Sequence, residues 1–475
     1  MMATAQTKGN GLRRVKNPED RLPVGKFLAW RAGAFSVAAN MMIMGYLTIY
    51  CTDTLKLDPI LVGTVLMVSK IIDAVGEVLV GLVIDRAHFK MGKGRPWDLC
   101  VIGLWVFTVL LFSAPAGASG VVKIGWVAVC YFFVQSVFQT LMQAGSTPYT
   151  LRAFRNKTVI VKVQSYGGLL GMVLSIGISS IFPGLMAGIA DSPSGWTKLM
   201  LIFAVPLTVI GLLRFLFVKE IYPVEGDLHE KITLKHVLQA MTGNRYIWFV
   251  AGISMLVQLF SGMNAGVYYF TYIVGDVSRL GMISMLSIVL MPLMMVFPKI
   301  IKGFSVSGLI GVGAMIAIGG NILLFFAGTN MTLMIIGSIL NAVGMLAPPY
   351  LVPIMIFDTA KYNLWRGRPA MDATMASVNN FGGQLGSGIG SALMGLILGL
   401  GGYIGGAEVQ TDGALMSIRL LYSLIPAAMY GILFILARLF TKLEKQLPQI
   451  EKDLAERSAE GAQGEANEET KRRNQ

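Results

Sequence analysis

The chain has 475 residues, 54% of them hydrophobic and 14% charged, with a formal net charge of +13. A soluble domain carries about 25% charged residues, so the composition excludes an ordinary soluble protein and indicates a membrane one. The cations are spread along the chain rather than gathered on one soluble face, which speaks against a nucleic-acid partner.

Residues 1–26 are polar and hold Lys8, Arg13, Arg14, Lys16, Arg21 and Lys26, with no cleavable signal peptide visible. Twelve apolar windows come after them, at 27–51, 60–84, 98–117, 122–150, 158–184, 197–218, 246–275, 281–301, 305–327, 331–357, 372–402 and 413–441. Each is close to the roughly 20 residues that cross about 30 Å of hydrocarbon. They are continuous, whereas a barrel strand alternates over about ten residues. The expected fold is therefore an all-α membrane protein with twelve transmembrane helices.

Basic residues concentrate in every second loop: Arg86 to Arg95, Arg152 to Lys157, Lys219 to Arg245, Lys299 and Lys302, and Lys361 to Arg368. By the positive-inside rule both termini are cytoplasmic, in a multi-pass protein of the cytoplasmic (inner) membrane. Cys51, Cys100 and Cys130 have no metal-binding spacing and read as small apolar residues. The segment after Lys442 is charged and lacks aromatics, which predicts a fraying helix followed by disorder.

SYGGLLG (165–171) reappears as NFGGQLG (380–386), and STPYTL (146–151) as APPYLV (347–352), in the same order. The chain therefore divides into two six-helix pseudo-repeats: a cytoplasmic segment 1–26, a bundle 27–218, a linker 219–245, a second bundle 246–441 and a cytoplasmic tail 442–475. Repeats of this kind mark a transporter whose solute sits at the midplane between the halves. Taken singly, each glycine motif is also what close helix packing needs.

The second window carries Lys70, Asp73 and Glu77 on one helix face. An ionised group at bilayer depth costs at least ~2.5 kcal/mol, so such residues face the protein interior or water and are functional candidates. Asp73 and Glu77 can hold a Na+ as metal ligands, or one of them a proton, with Lys70 tuning them. The alternative is that Lys70 neutralises Asp73 as a packing ion pair. Nothing in the spacing separates Na+ from H+.

YLTIYCTD, KIIDAVGEVLVGLVIDR, GKGRPW (92–97), IFDTAKY (356–362) and RGRPAMDATMASVNNFGGQLG together resemble the glycoside-pentoside-hexuronide:cation symporter family, melibiose permease-like members of the major facilitator superfamily. The resemblance runs over nearly the whole chain. It implies a major facilitator fold and cation-coupled uptake of a sugar or glycoside, with the family's two cation-ligating acids carried by Asp73 and Glu77. It departs from the family where charged sugar ligands are expected. No acid lies between Asp98 and Asp191, the first helix has none, the family's Lys-Asp step there falls on Val37 and Ala38, the fourth-helix acid falls near Ser146, and the eleventh-helix lysine is Gln384. Galactoside specificity is therefore not carried over.

Neutral polar residues remain to line a cavity: Asn40, Gln135, Gln139, Gln143, Ser146, Gln164, Asn264, Asn379, Asn380 and Gln384, with Tyr166, Tyr268, Tyr269 and Trp30 as stacking platforms. Amides in lipid must find partners, and interhelical bonding is the plain alternative for each. Arg31 and Lys162, near helix ends, either meet an anionic solute or snorkel to head groups. In the two basic loops the resemblance to major facilitators implies that Asp85, Arg86, Arg95, Asp358, Arg366 and Asp372 form charge pairs that gate the cytoplasmic side, against the plainer reading of solvated loops enforcing topology.

The sequence thus reads as a secondary active transporter, a Na+- or H+-coupled symporter of a neutral sugar or glycoside working by alternating access, in contact with membrane lipids and monomeric. An anionic sugar derivative or a lipid-like amphiphile is the alternative solute, the latter favoured by 29 adaptable methionines. An enzyme is not expected: His88, His229 and His236 lie in or beside loops, no nucleophile motif stands out, and no cofactor is implied beyond the coupling ion.

Overall fold

The computed structural model describes residues 23–86, 89, 91–154, 157–221, 244–286, 304–367 and 372–457, and among them all regular structure is helical. The first half contains α1 (Val24–Met44, resuming as Leu47–Ile49 and a π-helical turn Tyr50–Thr54), α2 (Pro59–Arg86), α3 (Cys100–Leu111), α4 (Gly120–Phe132, a π-helical stretch Phe133–Gln139, then Thr140–Ala153), α5 (Lys157–Ile189) and α6 (Pro193–Phe217). The second contains α7 (Arg245–Met263, resuming as Gly266–Tyr272), α8 (Ser278–Met285), α9 (Val306–Ala327), α10 (Met331–Met345 and Ala347–Trp365), α11 (Asp372–Leu400) and α12 (Asp412–Tyr422 and Leu424–Glu444). Side-chain caps start several of them: Ser192 accepts from the Gly195 N–H at 3.1 Å, Ser305 from Gly308 at 3.0 Å and Thr411 from Ala414 at 3.1 Å.

Among the described residues nine helices are long and apolar enough to cross a membrane. The other three expected spans fall short for separate reasons. α2 is interrupted by positions between 74 and 82 whose side chains lie outside the described residues; α3 has 12 residues after a 3-10 turn over Arg95–Leu99; and α8 is described only as Ser278–Met285. All the same, the chain is an integral membrane protein.

The halves interlock through equivalent helices. In the second half α11 lays Gly382 and Gly386 against the backbone of Ala251 and Met255 in α7; in the first half α5 lays Gly167 and Gly171 against Arg31 of α1. Between halves α2 crosses α11 so closely that a Cβ on Gly63 would lie 2.6 Å from the Ser391 carbonyl oxygen, and α8 meets α5 where Gly281 abuts Ser180. Small residues let helices approach where lipid supplies no hydrophobic drive between them.

The buried apolar side chains form three clusters. The largest draws on both halves, around Tyr50, Phe112, Trp196, Tyr268, Tyr269 and Leu398, at the end remote from the 219–245 linker. At the linker end the second half has a core of its own around Tyr246, Met355 and Phe440, and the first half another around Trp30, Tyr149 and Val163. The halves are therefore fused at one end, here called outer, and keep separate cores at the other, called inner.

At the inner end the first half is stapled by polar groups. The Glu220 carboxylate accepts from the backbone N–H groups of Lys93, Gly94 and Arg95 at 2.9, 2.7 and 2.6 Å. Arg214 Nε donates to Asp98 at 2.8 Å, with the guanidinium over the rings of Trp30 and Tyr149. The first part of the segment after Lys442, expected to fray, is instead docked: residues 447–457 are helical, Ile450 is buried, Trp365 Nε1 donates to Asp453 at 2.7 Å, and Lys361 pairs with Glu451, while residues 458–475, where disorder was expected, lie outside the described residues. A buried isoleucine and two contacts to the end of α10 hold a segment whose composition alone promises little.

Candidate functional site

A cavity of about 850 Å³ lies between the halves, walled by α1, α2 and α4 on one side and α7, α10 and α11 on the other. This is within the roughly 300–1,000 Å³ of small-molecule sites. Its roof, at the outer end, is made by Gly45, Leu47, Thr48, Gly262 and Asn264.

The charged corner of the cavity is built from α2 and the π-helical stretch of α4. Asp73 is 4% exposed; its Oδ1 accepts from the Ser136 hydroxyl, and its Oδ2 lies 3.5 Å from Lys70 Nζ. The ammonium also sits 5.8 Å from the centre of the Tyr131 ring. A π-helical stretch widens the turn by one residue and recurs at functional sites; here it includes Gln135, Ser136 and Gln139. Asp73, Lys70, Tyr131, Gln135, Gln139, Thr140 and Gln143 all reach the cavity wall. Lys70 and Asp73 are its charged lining residues, so the described lining is neutral overall. The side chain of Glu77 lies outside the described residues.

The opposite wall is uncharged, rich in polar groups on α7 and α11 and apolar on α10, where Pro348, Pro349, Val352 and Pro353 line it. On α11 the lining residues Asn380, Gln384, Ser387 and Ser391 share one helical face, and on α7 so do Ser254, Gln258 and Ser261. Asn379 is engaged within its own half by the Ser254 hydroxyl. Gln139 Oε1 is buried without a hydrogen-bond partner. A buried acceptor left unpaired costs about 1–3 kcal/mol, and a donor in the cavity would meet it only once the amide turns outward.

Of the residues proposed from sequence to bind solute, Gln139, Gln143, Asn264, Asn380 and Gln384 line the cavity. Asn40 does not: it is fully buried in the first half and donates to Thr108 Oγ1 at 2.8 Å, so it bonds α1 to α3. Tyr166 is 59% exposed and is not part of the wall. Ser146 is half-buried away from it, and the side chain of Gln164 lies outside the described residues, as does that of Lys162. Tyr268 is buried in the outer core, its hydroxyl 2.8 Å from Thr52 Oγ1; Tyr269 and Trp30 are likewise core residues. An amphipathic side chain reads alike in sequence whether it faces a cavity or a neighbouring helix, and only helix rotation separates the two.

Two of the residues expected to gate the cytoplasmic side have described partners. Arg95 donates from Nε to the Phe215 carbonyl at 2.9 Å and stacks over that ring; Arg366 donates to the Tyr362 hydroxyl at 2.8 Å. Both are engaged within their own halves. Asp358 is buried in α10, and the side chains of Asp85, Arg86 and Asp372 lie outside the described residues. Among the described residues, hydrogen bonds that join the halves lie at the outer end: Asp53 to Tyr272 and Tyr403, Thr52 to Tyr268, Lys56 to the Gly405 carbonyl, and Asn264 to the Gly45 carbonyl.

Sequence reading missed Ser136, Tyr131 and the face of Ser254, Gln258 and Ser261. The spacing of the last three, four and three residues, was a usable signal; for Ser136 no local pattern marks its pairing with Asp73, which is 63 residues away.

Comparison with known proteins agrees with this geometry. A family model described as MFS/sugar transport protein matches residues 32–445. The isoprimeverose transporter of Lactiplantibacillus pentosus is 28% identical over 433 residues, covering 88% of each chain. A glucuronide carrier protein homolog of Escherichia coli K12 is 22% identical over 445 residues, covering 90% of this chain and 94% of that one. Among solved structures, a bacterial homologue of the human lysosomal transporter Spinster superposes with a TM-score of 0.64 at 14% identity, covering 90% of this chain and 97% of that one; this likeness bears on the fold alone.

Proposed function

The chain belongs to the MFS/sugar transport protein family, and from that footing we propose that it is a symporter which carries a neutral sugar or glycoside together with Na+ or H+ by alternating access. The observation that carries this reading is the cavity itself: one acid and one lysine on the first-half wall, and amides and hydroxyls on both. Hydroxyl-rich solutes need many donors and acceptors of moderate strength, which amides supply without the desolvation cost of charges. Gln139 lines the cavity, and its unpartnered Oε1 would accept from such a hydroxyl once the amide turns towards it.

Asp73 is the proposed ion group. A proton would sit on its carboxylate, weakening the pull on Lys70; a Na+ would take oxygens from Asp73 and Ser136 and require Lys70 to turn aside. In either case ion binding at α2 changes the charge on a wall that the solute shares, which is how the two would be linked. With the basic inner end cytoplasmic, the cavity of this structure would face the cytoplasm.

The relatives named for isoprimeverose and glucuronide support glycosides as the class. An anionic sugar is a second reading, since Lys70 is the lining cation; its pairing with Asp73 favours the neutral solute. The test is uptake into proteoliposomes of labelled neutral disaccharides, uronides and lysolipids, each with and without imposed Na+ and H+ gradients. Gradient-driven accumulation of a neutral glycoside is the expected result; accumulation of the lysolipid alone, or of none, overturns the proposal.

A further inference from the structure

We propose that Asp53 is the latch of an outer gate, and that the outer pieces of α1 and α7 are the lid it holds shut. The inference rests on reading the chain as a transporter but not on the solute it carries. Both first helices of the halves break at matching positions: α1 ends at Met44 and resumes at Leu47, α7 ends at Met263 and resumes at Gly266. Each outer piece is short, so it can tilt as a unit about the break. Asn264 takes up the left-handed conformation there, φ 40° and ψ 41°, which few residues other than glycine adopt and which Asn tolerates.

The two pieces face each other as symmetry mates. Asn264 donates to the Gly45 carbonyl and Tyr272 donates to Asp53, and both pairs are separated by 219 residues. Tyr403, from the loop after α11, donates to the other carboxylate oxygen, and the rings of Tyr268 and Tyr272 each pack at 5.5 Å against that of Tyr403. Within its own half Asp53 is served by the Thr52 hydroxyl at 2.8 Å. The carboxylate thus draws donors from two elements of the opposite half, among aromatic rings and with the exposed Lys56 ammonium nearby, itself bonded to the Gly405 carbonyl.

That arrangement is suited to a latch rather than a permanent joint. A half-buried carboxylate among aromatic rings is best satisfied while its donors stay, so the closed end has a preferred geometry. When the halves part, water replaces the tyrosine hydroxyls, so each bond to the carboxylate contributes far less than its strength in isolation, enough to bias the closed end without locking it. The latch is also wired to the cavity: Gly45, Thr48 and Asn264 line its roof, one to two turns from Thr52 and Asp53. A solute that engages the Asn264 amide competes with the bond that pins the two breaks together.

The test is the distance between spin labels at Val121 and Val409, exposed outer-end positions of opposite halves, in detergent-purified protein without solute. The variants are Asp53→Asn and the pair Tyr272→Phe/Tyr403→Phe. Each should raise the ratio of wide to narrow separations about tenfold or more, the effect of losing one or two hydrogen bonds to a charged group. Asp276→Asn serves as the control, because Asp276 lies at the same end yet bonds only to Ser278 and Arg279 of its own half. The tyrosine pair keeps the question open to refutation should Asp53→Asn fail to fold. An unchanged distribution in the folded variants, or an equal shift in Asp276→Asn, overturns the latch, whatever the solute proves to be.

Discussion

Replacing Asp73 by Asn keeps the size of the side chain and removes its charge. The Lys70 ammonium, 3.5 Å away and 16% exposed, then loses its counter-charge. Breaking a buried pair from one side costs about 3–5 kcal/mol; with the ammonium opening on the cavity, the lower end applies. The functional loss is separate. One cation drawn inward with the solute through 100 mV contributes about 2.3 kcal/mol, which at about 1.4 kcal/mol per decade is roughly 50-fold accumulation. Proteoliposomes under an imposed 100 mV potential should therefore show that ratio for the native chain and about onefold for Asp73→Asn, with solute counterflow retained. Adding Lys70→Met to Asp73→Asn should restore thermal stability, because no charge is then stranded, but not accumulation. If Asp73→Asn concentrates solute as the native chain does, the carboxylate is not the coupling group.

Gln139→Leu removes the unpartnered acceptor of the cavity wall and should raise KM about 5- to 150-fold, the equivalent of about 1–3 kcal/mol; an unchanged KM in transport assays takes Gln139 out of the site. Gly63→Val puts side-chain atoms against the Ser391 carbonyl, 2.6 Å from the first of them, and should destabilise the protein by about 1–3 kcal/mol in thermal melts; a native melting temperature would show that α2 and α11 are not tightly packed. At the docked tail, the Trp365 indole N–H, followed by Gln449, holds the Asp453 carboxyl below its usual range. A depressed carboxyl contributes stability that is complete above its unfolded value, about 3.9, and is lost as pH falls through the folded value. Proteolytic protection of residues 447–457 should thus be flat from pH 8 to about 5 and fall only in more acid solution; a loss near neutral pH would contradict the pairing.

Hydrophobic length and charge placement are local properties, and the transmembrane windows, the paired acids of α2 and the glycine-rich repeats of α5 and α11 could be read from them directly. The side of the bundle to which each polar residue turns could not. Asn40 and Gln139 are both amides in apolar helices, but one bonds α1 to α3 and the other opens on the cavity. The difference is the rotation of each helix, set by its contacts with neighbours far away in the chain. The tail illustrates the same limit, since its helix is held by Trp365 and Lys361 some ninety residues earlier.

The sequence by itself determined that this chain lives in a membrane, that it is built twice over, and that it keeps an acid and a lysine where hydrocarbon would reject them, because burial energies act residue by residue. Only the tertiary structure decided that Ser136 meets Asp73, that Glu220 staples the Lys93–Arg95 turn within the first half, and that Asp53 bonds across the halves at the outer end. Those are pairings across 63 to 350 residues, and no local pattern specifies them: they arise when two six-helix bundles pack at one end and stand apart at the other.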